Sequence, residues 1–308
     1  MLYNKILWGF LYLFVERRSS MNQYYEEIMA LRDADDFKSV VGRWQTLSEN
    51  MKSLPTNAPV LLPDMLWVAR SGVGKTELLR LMSEYLAAQG NLMDFYGDVK
   101  FFEFLLSYCS PREPFSELRR LMDEVYNAAG FRSEFRGIIH IDINEWLDHY
   151  EEPHFISLME YLSSNSDNWL IVLTVYTENE EKLHNLISFL SMYLRIETMT
   201  LALPKTEDLF YYIENQLSQY GLTLTDDAKK LLHDSIETIR KNKYFDGFKS
   251  IKMLCQDIVY SVYSEKGSAG ACLTAEQISH FAADGEYVRR TVANIEKVSR
   301  IGLLNRGE

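Results

Sequence analysis

The chain has too few cysteines to build a covalent or zinc-bound scaffold. Its 308 residues include only Cys109, Cys255 and Cys272, and these are widely scattered. A disulfide framework or a zinc site groups its cysteines at short, regular spacings, which this sequence does not show. The scarcity of cysteine therefore excludes both and predicts a protein of a reducing, cytoplasmic compartment.

The sequence also lacks an excess of positive charge. Lysine and arginine total 32 against 44 aspartates and glutamates, which gives a net charge of -12. A protein whose main surface attracts nucleic acid carries the opposite balance, so nucleic acid is not expected as the principal partner. A mildly basic C-terminal stretch is interpreted as a solvated helix face, and contact with an acidic partner or nucleic acid stays open as the alternative. Its basic residues are Arg289, Arg290, Lys297, Arg300 and Arg306.

No apolar run is long enough to cross a membrane. The apolar segment 6–15 is far shorter than the about 20 residues that a membrane-spanning helix needs. The sequence after Val15 offers no small-residue cleavage site of a secretory signal. We favour a helix or strand docked on the core, so no membrane partner is expected. A membrane-surface anchor, or an upstream extension that precedes a true start at Met21, stays open as an alternative.

From residue 55 onward, short apolar runs alternate with amphipathic stretches. The apolar runs predict strands and the amphipathic stretches predict helices. Strands separated by helices indicate a parallel sheet with helices on both faces. The strands are predicted at 65–68, 100–106, 138–141, 170–175 and 198–203, and the helices between them at 76–88, 116–129, 154–163 and 178–193. The fold class is therefore predicted to be α/β, with a five-stranded parallel sheet and flanking helices.

The pattern changes to helices alone after Pro204. No strand is predicted to interrupt the amphipathic periodicity there, so an all-helical C-terminal lid domain is expected. Its helices are predicted at 206–220, 225–241, 248–264 and 274–283, followed by an amphipathic stretch at 287–304. Residues 22–52 have helical spacing that is broken near 33–36. The chain is therefore divided into an N-terminal helical extension (1–54), an α/β domain (55–204) and C-terminal helices (205–308).

A phosphate-binding loop is predicted between the first strand and the first helix of the α/β domain. The motif is a glycine, four residues and then Gly-Lys-Ser/Thr; here Gly74-Lys75-Thr76 matches, and Ala69 replaces the first glycine. Backbone N–H groups and the helix N-terminus form an anion site. Lys75 is expected to reach the β- and γ-phosphates, and the Thr76 hydroxyl to bind Mg²⁺. The predicted nucleotide-binding residues are Arg70, Ser71, Gly72, Val73, Gly74, Lys75 and Thr76.

A second nucleotide-binding element follows at the predicted strand 138–141. Asp142 ends this strand in the Walker B arrangement and is expected to hold Mg²⁺ through water. In many nucleoside triphosphatases a glutamate that polarises the attacking water comes next, but here the residue is Ile143. Glu145 substitutes for it only if its loop turns inward, and a helix-start or surface carboxylate is the alternative. His140, inside the strand, is predicted to be buried and hydrogen-bonded without a catalytic role.

These elements together resemble the AAA+ P-loop ATPases, in particular the clade of rubisco-activase-like and sporulation stage V protein K-like members. In that clade the Walker B strand reads like Phe-Ile-Asp-Glu-Ala-Tyr-x-Leu. The segment 139–147 keeps Asp142 and Leu147 but lacks the glutamate, so its Walker B motif is degenerate. The resemblance implies a P-loop domain followed by a helical lid, with ATP and Mg²⁺ as the bound species.

The same resemblance implies further site residues outside the two motifs. Thr174 or Thr177 corresponds to the polar sensor at the end of the next strand. Arg195 corresponds to an arginine that acts on the neighbouring subunit, with a helix C-terminal cation or a surface ion pair as the alternative. Lys249 replaces the arginine of the lid, which implies a positive charge near the γ-phosphate without the bidentate geometry of arginine. An arginine that acts in trans requires a homo-oligomer, either a ring or a dimer.

The first functional hypothesis is an AAA+-like protein that uses MgATP binding and slow hydrolysis to change conformation and to remodel or position a protein partner. Ile143 favours the alternative of an ATP-binding regulatory or scaffold module that does not hydrolyse. A DNA-associated AAA+ helper is a third hypothesis, which the acidic charge disfavours.

The sequence has no Asn-Lys-x-Asp motif after a strand, which is the motif that recognises guanine. The pair Asn242-Lys243 lies at a predicted helix end instead. GTP is therefore not expected as the nucleotide.

Overall fold

The computed structural model describes most of the chain as two compact units. The described residues are 23–32, 34–52, 62–92, 99–106, 136–164, 166, 169–242, 245–264 and 272–289. The first unit contains the described residues up to 70 together with 75–201, and the second contains 71–74 together with those from 202 onward. The predicted apolar segment 6–15, the helix 116–129 and the end of the stretch 287–304 lie outside the described residues.

A five-stranded parallel sheet is the centre of the first unit, which confirms the predicted fold class. The strand order is β2-β3-β4-β1-β5. Every neighbouring pair of strands in this order is parallel. The strands are β1 (Asp64–Ala69), β2 (Lys100–Leu105), β3 (Gly137–Asp142), β4 (Trp169–Val175) and β5 (Ile196–Leu201). Each overlaps the apolar run that predicted it. The central strands β1, β3 and β4 are buried almost throughout, and a buried parallel strand shows as a short, nearly continuous apolar segment.

Helices cover both faces of this sheet. They are α1 (Asp35–Lys52), α2 (Lys75–Gln89), α3 (Pro153–Ser163) and α4 (Glu180–Leu190), preceded by a short helical segment at 23–29. Side chains of β3 alternate between the faces: Ile139 and Ile141 join the apolar cluster formed with α3 and α4. On the other face, Phe37 of α1 packs edge-on against Trp67 of β1. His140 and Asp142 therefore lie on the face that α1 and α2 cover.

The second unit is mainly helical, as the sequence predicts. Its helices are α5 (Thr206–Gln219), α6 (Asp226–Arg240) and α7 (Gly247–Ser264). The start of α6 follows from its sequence: the Thr225 side chain accepts the Ala228 N–H, and acidic residues fill the first turn. The expectation of no strand is wrong in detail, because β6 (Thr223–Leu224) pairs with β7 (Cys272–Leu273) in a short parallel ladder.

The predicted helix at 274–283 is wrong. The chain instead forms a turn over 275–278 and a 3-10 helix at Ser279–Phe281. Ile278 and Phe281 are both buried in the apolar cluster of this unit. A spacing of three residues puts two side chains on one line of a 3-10 helix, so the tighter helix buries both.

We predict that Asp64→Asn stabilises the protein at high pH. Asp64 is 5% exposed at the start of β1 and accepts the Ile171 N–H at 3.1 Å. Burial raises the pKa of this carboxyl to about 7 from 3.8. The folded state therefore holds a proton that the unfolded state releases, and stability falls as pH rises through this interval. The cost is about 4 kcal/mol at most.

Thermal unfolding of the wild type and the variant at pH 4 and pH 8 tests this expectation. Asparagine keeps an acceptor for the Ile171 N–H without a charge to bury. The variant should melt well above the wild type at pH 8 and close to it at pH 4. Glu151→Gln, which changes an exposed carboxylate, is the control. A Tm difference that does not change with pH would contradict the burial argument.

Candidate functional site

The loop between β1 and α2 is built on two glycines in the left-handed region. Gly72 has a φ of 75° and Gly74 a φ of 92°. A side chain at either position would be strained, whereas glycine adopts these angles freely. The loop leads directly into α2, whose first residue is Lys75. Free N–H groups at a helix N-terminus favour an anion, so the local backbone suits phosphate oxygens.

Two cations flank this loop. The Lys75 amine donates to the Arg70 carbonyl oxygen at 3.3 Å, so its side chain folds back across the loop. The Arg70 guanidinium lies over the Tyr176 ring, 4.8 Å from its centroid. Such a cation–π contact keeps Arg70 at the end of β4 without neutralising its charge. Val73 is buried and Ser71 is exposed, so Val73 anchors the loop to the protein.

Thr76 contacts a carboxylate that the sequence reasoning missed. The Thr76 hydroxyl donates to Glu103 of β2, with its oxygen 3.1 Å from each carboxylate oxygen. The nearby His140 ring, and after it the Thr76 hydroxyl, lower the pKa of Glu103 against the opposing effect of partial burial. The signal in the sequence was a single acidic residue within the apolar run 100–106.

His140 links Glu103 to the next strand. It is 4% exposed and hydrogen-bonded, as predicted. Its Nε2 atom lies 2.7 Å from the Thr174 hydroxyl oxygen. Its Nδ1 atom lies 3.3 Å from a Glu103 oxygen, close enough for an electrostatic contact but without the alignment of a hydrogen bond. Glu103, His140 and Thr174 thus form a polar row across β2, β3 and β4.

Asp142 lies at the end of β3, where Asn144 holds it. One Asp142 oxygen accepts the Asn144 backbone N–H at 3.1 Å and its side-chain amide at 2.6 Å. The Asn144 amide oxygen accepts the Tyr176 N–H at 2.6 Å, which ties the end of β3 to the end of β4. The sequence reasoning missed Asn144, because its two roles depend on which strands are neighbours.

The residues after Asp142 divide between core and surface. Ile143 is fully buried in the cluster formed with α3 and α4. Glu145 is half-buried in the 3-10 helix Asn144–Trp146, next to the buried Trp146. A glutamate in place of Ile143 would face the core on this backbone. The role predicted for Glu145 stays a prediction.

The two sensor candidates lie in different surroundings. Thr174 is fully buried, and its hydroxyl is bonded to His140. Thr177 lies beyond the end of β4, and its hydroxyl accepts the Asn179 N–H just before α4. In this arrangement Thr174 acts on its surroundings through His140. Its predicted sensor role stays a prediction.

Arg195 lies at the opposite end of the sheet from the phosphate-binding loop. It directly precedes β5, whose first residue, Ile196, pairs with Asp64 at the start of β1. The loop, by contrast, follows the last residue of β1. Arg195 is exposed. This position does not favour a role at the loop of its own chain. The role in trans stays a prediction, with a helix C-terminal cation or a surface ion pair as the alternative.

Within the second unit, residues 71–74 contact the start of α7. The Phe248 N–H donates to the Gly72 carbonyl oxygen at 2.8 Å. A Cβ atom on Gly72 would lie 1.8 Å from the Asp246 carbonyl oxygen, and one on Gly247 would lie 2.1 Å from the Gly72 carbonyl oxygen. Each backbone thus fits the other only because both residues are glycine.

Lys249 lies in the first turn of α7, beside this contact. Its amine is 3.4 Å from a carboxylate oxygen of Asp246, and its side chain is 72% exposed. An exposed ion pair of this kind is weak, so the lysine side chain is free to exchange partners. The γ-phosphate role predicted for Lys249 stays a prediction.

The chemistry of the two predicted metal ligands is compatible with Mg²⁺. The Thr76 hydroxyl and the Asp142 carboxylate are hard oxygen donors, which Mg²⁺ prefers. Within the described parts of the chain, no group of three or more His, Cys, Asp or Glu residues could hold a metal ion. Mg²⁺ commonly takes one or two protein ligands and completes its shell with phosphates and water. None of the described helices has the length and apolar composition needed to cross a membrane.

We predict that Gly247→Ala destabilises the protein more than Gly221→Ala does. Both glycines have a positive φ, 50° and 71°, so alanine costs about 1 to 2 kcal/mol of backbone strain at each. A Cβ atom on Gly221 meets nothing within 4 Å, whereas one on Gly247 meets the Gly72 backbone. Chemical denaturation measures both free energies of unfolding. Equal losses would show that the Gly72 contact is not close enough to matter.

Comparison with known proteins shows the fold. No protein-family model and no curated protein matches the chain. The structure of C. elegans PCH-2 is similar, with a TM-score of 0.54 and 15% identity over 85% of this chain and 71% of that one. The Thermotoga maritima RuvB Holliday junction branch migration motor has a TM-score of 0.47 and 14% identity over 85% of this chain and 76% of that one. The likeness to PCH-2 shows the fold alone, which is an α/β fold with a five-stranded parallel sheet and a helical C-terminal region.

Proposed function

We propose that this protein binds ATP with Mg²⁺ at residues 70–76 and uses binding and slow hydrolysis to change conformation and to remodel or position a protein partner. The observation that carries the proposal is the loop itself. Two left-handed glycines lie between a buried parallel strand and a helix N-terminus, with Lys75 folded across them. Backbone N–H groups, a flexible ammonium and a hydroxyl are the groups that bind a triphosphate and its cation.

Each site residue has a proposed task. The backbone of residues 70–76 and the Lys75 amine bind the phosphates, and Thr76 and Asp142 hold Mg²⁺, which neutralises charge that develops on the phosphates. We further propose catalytic roles for four residues. Glu145 polarises the attacking water, Thr174 is the polar sensor, Arg195 acts on the neighbouring subunit and Lys249 contacts the γ-phosphate. We propose a homo-oligomer, either ring or dimer, because an arginine that acts in trans, as proposed for Arg195, requires a neighbouring subunit. A cytoplasmic location and membership of the clade of rubisco-activase-like and sporulation stage V protein K-like proteins belong to the same proposal.

Burial of Ile143 favours slow turnover. The position directly after Asp142 contributes an apolar side chain to the core instead of a carboxylate to the site. The same observation supports a second candidate, an ATP-binding regulatory or scaffold module that does not hydrolyse. Both candidates use the same loop and differ only in whether phosphate is released.

We predict that Lys75→Ala weakens ATP binding by about 10- to 100-fold, because it removes charge-assisted hydrogen bonds to the phosphates. Titration calorimetry with MgATP measures the loss. Lys229→Ala removes an exposed lysine paired with Glu214, and it should leave the affinity unchanged. Equal affinity of Lys75→Ala and wild type would contradict the proposed binding site.

Phosphate release at saturating MgATP separates the two candidates. Wild-type turnover above that of Lys75→Ala supports the ATPase. Tight wild-type binding with no turnover above that variant supports the regulatory or scaffold module.

We also predict that two inactive variants restore each other's turnover. Arg195→Ala lacks the trans-acting cation but keeps its own loop, whereas Lys75→Ala has an impaired loop but still offers Arg195 to a neighbour. Mixing the two should therefore raise phosphate release above that of either variant alone. Wild-type turnover by Arg195→Ala, or a mixture no faster than its components, would contradict the trans role.

A further inference from the structure

The Thr76 hydroxyl points its proton at Glu103. Its oxygen is 3.1 Å from each Glu103 carboxylate oxygen. An ionised carboxylate only accepts hydrogen bonds, so the hydroxyl must be the donor. The direction of the O–H bond is thereby fixed, and the lone pairs of the Thr76 oxygen are turned away from Glu103. The contact therefore orients the oxygen that the proposed function assigns to Mg²⁺.

The sheet itself sets the position of Glu103. Glu103 pairs with His140 in the register of β2 and β3. His140 is in turn held by the Thr174 hydroxyl at 2.7 Å and is buried beside the Trp67 ring. The Glu103 side chain is 35% exposed. Its carboxylate thus lies at the edge of a buried polar row and remains accessible to a neighbouring ligand.

Other carboxylates around the loop are less suited to this task. Asp142 already has one oxygen engaged by two Asn144 N–H groups. Glu77, directly after Thr76, is hydrogen-bonded to the Arg80 guanidinium. Ile143 replaces the carboxylate expected after Asp142 and is buried. Glu103 is the carboxylate that the structure places on the Thr76 hydroxyl.

We propose that Glu103 is an outer-shell carboxylate of the Mg²⁺ site. Glu103 accepts a hydrogen bond from the Thr76 hydroxyl and so leaves the lone pairs of the Thr76 oxygen available to the cation. This inference rests on the proposed function. Glu103 acts through Thr76 and is therefore a positioning residue. Outer-shell hydrogen bonds orient metal ligands, and their loss typically costs about 10- to 100-fold in metal affinity.

The test measures how strongly Mg²⁺ and nucleotide support each other's binding. A fluorescent ATP analogue is titrated into wild type and Glu103→Ala in EDTA and again in excess Mg²⁺. The ratio of the two affinities is the coupling between cation and nucleotide. Glu103→Ala should lower this ratio by about 10- to 100-fold while leaving the affinity in EDTA unchanged. Mn²⁺ binding followed by electron paramagnetic resonance, with the nucleotide present, should show the same loss.

Glu77→Ala is the matched control. It removes an equal charge from the residue next to Thr76, but its carboxylate is bonded to Arg80. Long-range electrostatic effects on the cation are therefore similar, whereas the Thr76 contact is intact. Its coupling ratio should equal that of wild type. Melting temperatures of both variants check that neither change unfolds the sheet.

The outcomes separate this inference from the proposed function. An equal ratio in Glu103→Ala and Glu77→Ala would show that Glu103 has only a structural role in β2. This result would overturn the inference but not the proposed function. A higher ratio would also overturn it, because Glu103 would then compete with the cation for Thr76. Failure of wild type to bind the analogue in Mg²⁺ would overturn the proposed function and this inference together.

Discussion

The parallel register of β1, β3 and β4 determines where the polar groups of the candidate site lie. Trp67 of β1 and Asp142 of β3 both pair with Thr174 of β4. The ends of the three strands therefore meet at one edge of the sheet, which is where ligands bind in open parallel sheets. Arg70 after β1, Asp142 and Tyr176 are brought to this edge by the backbone hydrogen bonds of the sheet, although they are distant in sequence.

Polar contacts also connect neighbouring strands. Asn144 joins β3 to the segment after β4 at the surface, and buried His140 joins Thr174 to the neighbourhood of Glu103. The His140–Thr174 contact is buried, and in a low-dielectric interior such a contact is strong when satisfied and costly when broken. The site therefore has few independent parts. A change at Thr174 is expected to alter the setting of Glu103 through His140, without direct contact.

The sequence predicted the elements of the sheet well and the contacts of the site poorly. Apolar runs located all five strands, because buried parallel strands differ from helices in length and pattern. The same reasoning could not place β2 beside β3, so the contact of Glu103 with Thr76 was missed. Asn144 was missed for a similar reason, since its partners depend on the order of strands. The prediction of an α-helix at 274–283 was wrong because periodicity alone does not separate a turn and a 3-10 helix from an α-helix.

The hydrogen bond between Gly72 and Phe248 joins residues separated by more than half of the chain. Closing so long a loop is entropically costly, so we expect this contact to form after the local helices and strands. During synthesis the Gly72 carbonyl group can therefore form this hydrogen bond only after Phe248, and so most of the polypeptide, has been made. A fragment that ends at Leu201 would retain every strand of the five-stranded sheet but would leave that carbonyl group without the Phe248 N–H. The loop of residues 71–74 is thus completed by the last third of the protein.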